Sequence, residues 1–185
     1  MSGQAPAFSA PASLDVAREL GWRRVVVVGS PGAGKTSFAV ELAAGLDLPL
    51  IHLDFEYWRA GWEPTPAEEW RARVEELISR EAWVMDGNYG ATLATRLARA
   101  DAAVFLDVPR PTCIRNVLLR MVRNRGRPGP GLPPGCPERF DLAFLLWVWN
   151  YERRSRLRVI DLLAASGLPV VHLRNRHEAV QWLLT

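Results

Sequence analysis

Residues 23–38 read RRVVVVGSPGAGKTSF. Four consecutive valines predict a strand buried on both faces, and the residues from Lys35 onward begin a helical pattern. Between them, Gly29 to Thr36 fit G-x-x-x-x-G-K-[ST] at every fixed position, in the strand-then-helix context that pattern requires. Glycines there let successive backbone N–H groups turn inward around phosphate oxygens, and the helix offers its positive N-terminal end to the same anion. Gly29, Ser30, Pro31, Gly32, Ala33, Gly34, Lys35, Thr36 and Ser37 are therefore the expected nucleotide-binding residues. ATP and Mg²⁺ are the expected cofactors, with the Thr36 hydroxyl on the metal.

Lys35 is the only lysine among 23 Lys and Arg residues. Elsewhere arginine stands in for lysine as a compositional bias, but the loop needs a compact ammonium on a thin stem, where a planar guanidinium is too wide. The formal charge of +3 comes from arginines spread along the chain, which suits small anionic ligands and makes nucleic acid a poor partner. Cys113 and Cys136 form no CxxC or Cys/His pattern, so a reduced, cytoplasmic setting is expected. The longest apolar run, 142–149, is far below the roughly 18 residues of a membrane span, so no membrane association is expected.

Outward from the loop, apolar runs at 25–29, 49–54, 82–87, 102–109 and 169–173 alternate with helical patterns at 36–46, 65–79, 92–99, 111–123 and 139–165. This alternation predicts an α/β fold, a parallel sheet between two helical layers, with ligands at the carboxyl ends of the strands. Residues 1–13 read as a flexible leader and 14–185 as one domain. The Gly/Pro-rich interval 126–138 forbids a helix and suits a flap. Trp147, Trp149 and Tyr151 are expected in the core, although the 142–151 helix is also able to form a homodimer contact.

Asp86, at the tip of the third apolar run and followed by Gly87, is the expected second metal ligand. Asp54, at the tip of the second, is expected to orient an acceptor hydroxyl and accept its proton. Arg59, Tyr89 and Arg96 follow these carboxylates closely enough to reach an acceptor, and Tyr57, Trp58 and Trp62 are available as an apolar wall. On the helix after Pro111, Asn116, Arg120 and Arg123 share the face opposite Ile114, Val117, Leu118 and Met121. Arg120 and Arg123 are expected to close over the transferring phosphoryl group. Asp107 reads as a structural strand terminus.

Taken together, GSPGAGKT, LPLIHLD with Trp58 and Trp62, WVMDGNY, LATRLARADAAVFLDVPR and FLLWVWNYERR resemble the P-loop kinases of the adenylate, shikimate and gluconate kinase type. Within that group they look most like the bacterial topology modulation ATPases. The resemblance implies a three-layer P-loop NTPase fold with a five-stranded parallel sheet in the order 2-3-1-4-5. It also implies a LID at about 120–138 and an adenine site near Arg120, Arg174 and Asn175. Asn88-Tyr89 replaces the Phe-Pro-Arg of nucleoside monophosphate kinases. The resulting expectation is an ATP-dependent phosphotransferase acting on a small-molecule hydroxyl, with a nucleoside or nucleotide kinase and a regulatory ATPase as alternatives.

Overall fold

The valine run forms β1 (Arg24–Gly29), and its side chains alternate between two cores. Val26 and Val28 pack on one face of the sheet, Val25 and Val27 on the other. A central strand without a wet face is what four β-branched apolar residues in a row specify. The computed structural model describes residues 13–129 and 131–185. Except for Ser13, the expected leader lies outside them.

The remaining strands are β2 (Leu50–His52), a two-stranded hairpin of β3 (Trp58–Arg59) and β4 (Glu63–Pro64), β5 (Trp83–Asp86), β6 (Ala102–Leu106) and β7 (Val170–Leu173). The main sheet is parallel throughout, in the order β2-β5-β1-β6-β7. Numbered among themselves, these five strands run 2-3-1-4-5, as expected. The hairpin had no counterpart in the sequence reading.

Helices cover both faces. α1 (Leu14–Glu19), α2 (Lys35–Leu46) and α9 (Arg176–Leu184) pack on one, α4 (Ala67–Ile78), α5 (Leu93–Leu97) and α8 (Leu157–Ser166) on the other. The short α3 (Leu53–Tyr57) follows β2, and α6 (Arg110–Arg123) packs with α7 (Leu142–Tyr151) around Cys113, Val117, Met121 and Val148. No helix among the described residues is long and apolar enough to cross a membrane.

Two differences from the sequence reading concern the 139–165 segment. It is not one regular helix: α7 starts after Asp141, whose Oδ1 accepts from the Phe144 N–H at 3.0 Å, and a π-helical turn (Glu152–Arg156) separates it from α8. Such a turn shifts the helical register. Arg156 thereby reaches back to Asp107, while Arg154 and Arg158 face the other way. Secondly, α7 does not bury its tryptophans. Tyr151 is buried, but Trp147 and Trp149 are 43% and 52% exposed, since the small core beneath α6 takes only Val148 fully from this helix. Trp149 instead carries the Arg110 guanidinium 4.3 Å above its ring.

Asp107 has the structural role expected of it. It accepts from Arg156 Nε at 2.7 Å and Nη2 at 2.6 Å, and His172 Nε2 lies 3.0 Å away. Burial alone would raise its pKa, but Arg156 and His172 outweigh that and hold the carboxyl well below the usual range. This cluster ties the start of α8 to β6 and β7.

Candidate active site

The loop between β1 and α2 lies at the carboxyl edge of the sheet, and steric limits explain two of its glycines. Gly29 has φ 151° and Gly32 φ 80°; a β-carbon at either would lie 2.3 Å from a backbone carbonyl oxygen, that of Leu106 or of Cys113. The loop is therefore pressed against β6 and α6 with no room for a side chain. Asn116 of α6 donates to the Gly32 carbonyl at 2.9 Å. Lys35 Nζ donates to the Ser30 carbonyl at 3.1 Å, folded back along the loop. Desolvation lowers the Lys35 pKa, opposed by the charges of Asp86 and Asp54.

Asp86 ends β5 and is buried. Its Oδ2 accepts from the Thr36 hydroxyl at 2.8 Å and lies 3.2 Å from His52 Nδ1, whereas its Oδ1 is buried with no partner. A buried carboxylate oxygen left bare is costly unless a cation completes it. Thr36 and Asp86 thus fit a divalent cation of the Mg²⁺ type, which binds through one or two protein oxygens plus phosphates and water. No larger cluster of His, Cys, Asp and Glu suited to a metal exists among the described residues.

Asp54 is displaced from its expected strand tip. β2 ends at His52, and Asp54 lies in the first turn of α3. Its Oδ1 accepts from the Tyr89 hydroxyl at 2.6 Å. The carboxylate is open to the cleft yet walled by protein, and desolvation raises its pKa against the opposing effects of Tyr89 and Lys35. Lys35, Thr36, Asp54, Asp86, Tyr89 and Arg120 all line one cleft of about 890 Å³.

No protein-family model and no curated protein sequence matches the chain at a significant level. Among solved structures it is similar to a shikimate kinase from Bacteroides thetaiotaomicron, at 19% identity over 89% of this chain and 95% of that one, with TM-score 0.54. It is also similar to a shikimate kinase from Acinetobacter baumannii in complex with shikimate, at 20% identity over 94% and 93%, with TM-score 0.51. The chain shares the fold of these two proteins.

Within that fold the 124–141 connection covers the cleft. Gly131 approaches His52 and Thr36 so closely that a β-carbon on it would lie 3.3 Å from His52 Nδ1 and 3.4 Å from Thr36 Cγ2. The same connection is fastened to the β3–β4 hairpin: Gly61 N–H donates to the Gly135 carbonyl at 2.8 Å, and Trp62 Nε1 to the Pro137 carbonyl at 3.1 Å. Glu138, only 4% exposed, places Oε1 2.6 Å from Arg120 Nε, an ion contact without hydrogen-bond alignment. Burial raises the Glu138 pKa, and Arg120 opposes it.

Several expected site residues lie elsewhere. Arg96 is fully buried and donates to the carbonyls of Gly87, Asn88 and Tyr89, so it supports the loop and does not face the cleft. Arg59 extends into solvent and pairs with Glu69 of α4 at 2.5 Å. Arg123 is exposed in the last turn of α6, one turn beyond the cleft-lining Arg120, where a cation complements the helix terminus. Asn175 caps α9, its Oδ1 accepting from Glu178 N–H at 2.9 Å, while the Arg174 N–H donates to Glu178 Oε2 at 2.7 Å. This reciprocal cap is a helix start, and neither residue lines the cleft.

His52, Asn88 and Glu138 were not expected. Asn88 is reciprocally bonded to Gly29, accepting from its N–H at 3.0 Å and donating to its carbonyl at 2.7 Å. It fastens the phosphate loop to the end of β5. Asn88→Ala leaves both backbone groups of Gly29 without these partners and is expected to destabilise the protein by about 1–3 kcal/mol. Denaturant titration reads that loss, and calorimetry should show weakened Mg-ATP binding because the loop amides lose their fixed direction.

Proposed function

We propose that the protein is an ATP- and Mg²⁺-dependent phosphotransferase whose acceptor is a hydroxyl of a small molecule. The reading is carried by one juxtaposition: a carboxylate with no cationic partner in hydrogen-bond contact among the described residues, Asp54, shares the cleft with the phosphate loop and with the Thr36–Asp86 pair. The loop amides and Lys35 hold the polyphosphate, and Thr36 and Asp86 hold the metal. Held by the Thr36 hydroxyl and the Asp86 carboxylate, Mg²⁺ would supply charge neutralisation to the phosphates.

Asp54 is suited to orient an acceptor O–H and take its proton. The acceptor oxygen bonds to the γ-phosphorus as the bond to the β–γ bridging oxygen breaks, and ADP leaves. Tyr89, donating to Asp54 Oδ1, fixes the carboxylate and leaves its other oxygen for the acceptor. Arg120, steadied by Glu138, offers its remaining donors to the equatorial phosphoryl oxygens. The 124–141 connection acts as a lid that excludes water.

Transfer of label from γ-labelled ATP to a panel of low-molecular-weight alcohols tests this reading. Asp54→Asn should lower transfer about 10²-fold while Mg-ATP binding persists. Because the folded-state pKa of Asp54 is raised, its basic form is depleted first as pH falls. The wild-type rate should therefore decline on acidification at a pH above the ordinary carboxylate range. A variant within a few-fold of wild type would remove the acceptor role from Asp54.

A further inference from the structure

Beyond the reaction type, and resting on the reading just given, the cleft carries information about the acceptor. At about 890 Å³ it lies near the top of the range of roughly 300–1,000 Å³ typical of small-molecule sites. Two aromatic pairs line it. Trp58 and Trp62 of the hairpin meet edge to face with centroids 5.5 Å apart; Phe144 and Trp147 of α7 stack at 5.9 Å. Trp147 lines the cleft and keeps 43% of its surface exposed. A polyol would leave such indole surface poorly covered, whereas a flat apolar body would cover it.

Backbone strain marks the same place. Among the described residues, three other than glycine have positive φ: Asp47, Trp62 and Tyr89. Asp47 merely ends α2, but Trp62 at φ 65° and Tyr89 at φ 35° both line the cleft. Bulky residues in this region persist where the surroundings hold them, typically at ligand sites. Trp62 is held by its indole bond to Pro137 and by its N–H on the Arg59 carbonyl at 3.1 Å.

A third feature is charge. Arg154 and Arg158, four residues apart across the π turn, line the cleft, are exposed and have no carboxylate partner among the described residues. By contrast Arg59, Arg73, Arg110, Arg120 and Arg156 are each paired. Two like charges at this spacing repel, and an anion between them relieves that. α8, which carries Arg158, packs against α5, the helix that directly follows the Tyr89 loop, and both arginines line the same cleft as Asp54 and Tyr89.

We propose that the acceptor is an alcohol built on a flat, apolar ring system and carrying an anionic substituent. The Trp58–Trp62 and Phe144–Trp147 pairs take the rings, Arg154 and Arg158 the anion, and Asp54 the hydroxyl. The test uses a matched set with γ-labelled ATP: hydroxymethyl-naphthoate, naphthylmethanol without the carboxylate, and gluconate without the rings. The first should be phosphorylated with kcat/KM about tenfold or more above either of the others. Trp147→Ala, which alters an exposed side chain, should lower both naphthyl substrates. Arg154→Gln with Arg158→Gln should lower only the carboxylated one.

Gluconate equal to or better than the naphthoate would overturn the proposal. So would a double arginine variant that weakens Mg-ATP binding, or that affects both naphthyl alcohols equally, since the arginines would then serve the nucleotide. Should Mg-ATP bind but no alcohol be phosphorylated, the phosphotransferase reading falls separately. Calorimetry of hydroxymethyl-naphthoate against wild type and the double variant still decides the inference, through a loss of affinity on removing the arginines or its absence.

Discussion

Lys35→Ala is expected to lower γ-phosphoryl transfer about 10³-fold, the range that follows loss of a preorganised charge at a phosphoryl-transfer site. The same substitution should raise the thermal midpoint of the nucleotide-free protein. Both effects follow from the position of the ammonium group. Without a ligand it is crowded by the loop, bonded to the Ser30 carbonyl, and kept from full hydration, so folding disfavours its charged form. Asp86 and Asp54 offset that cost only in part, and the phosphates would supply further counter-charge.

The direction with pH can be worked out. The folded-state pKa of Lys35 lies below its unfolded value near 10.4, so below the folded pKa both states bear the proton and the folded state carries the whole desolvation cost. As pH rises through the folded pKa the proton is released and that cost fades. The stability advantage of Lys35→Ala should therefore be largest below the folded pKa and shrink toward alkaline pH. Lys35→Arg should fail in transfer nearly as badly as alanine, because the guanidinium does not fit a loop pressed between β6 and α6. Paired melting curves and Mg-ATP calorimetry check these outcomes; equal heat from wild type and Lys35→Ala would show that the ammonium does not hold the nucleotide.

What was legible in the sequence was whatever is local along the chain. The valine run, the glycines and the helix start lie within 16 residues of one another, and the five apolar runs locate the strands to within a few residues. Asp86 was readable because a buried run ending in Asp-Gly is short and self-contained. Thr36, 50 residues away, was expected beside it through the metal they share, whereas His52, 34 residues away on another strand, was not. Asn88 and Glu138 are similar, with roles that exist only once β5 lies beside β1 and the lid folds over α6.

Two structural roles also left signals in the sequence. Asn175 and Glu178 are spaced as a reciprocal helix cap, the bond the structure gives them. Arg96 lies three residues after Leu93 and one before Leu97, and the spacing of those two leucines defines the buried face of α5. By periodicity alone Arg96 belonged inside. A charge on an apolar helix face is there to satisfy buried acceptors, as Arg96 does with three carbonyls.

Arg96 should consequently be the most damaging of these positions for stability. Its guanidinium donates to three successive carbonyls, to Gly87 at 3.0 Å, to Asn88, and to Tyr89 at 3.3 Å. Burial pulls its pKa down to about 9, which leaves it protonated at neutral pH. These three residues directly follow Asp86 and include the Asn88 staple and the strained Tyr89, so the buried cation organises the loop from behind. Arg96→Leu keeps much of the apolar volume but removes all three donors. With about 1–3 kcal/mol for each carbonyl stranded in the interior, and partial access of water to the loop, the expected loss is about 3–5 kcal/mol. For a chain of this length that corresponds to a thermal midpoint lower by about 10 °C. Arg96→Lys should fall between, since one ammonium keeps the charge but cannot span three acceptors. An acceptor-binding Arg96 predicts the opposite pattern: an unchanged midpoint with only the acceptor KM raised, which melting curves and steady-state kinetics on the same two variants separate directly.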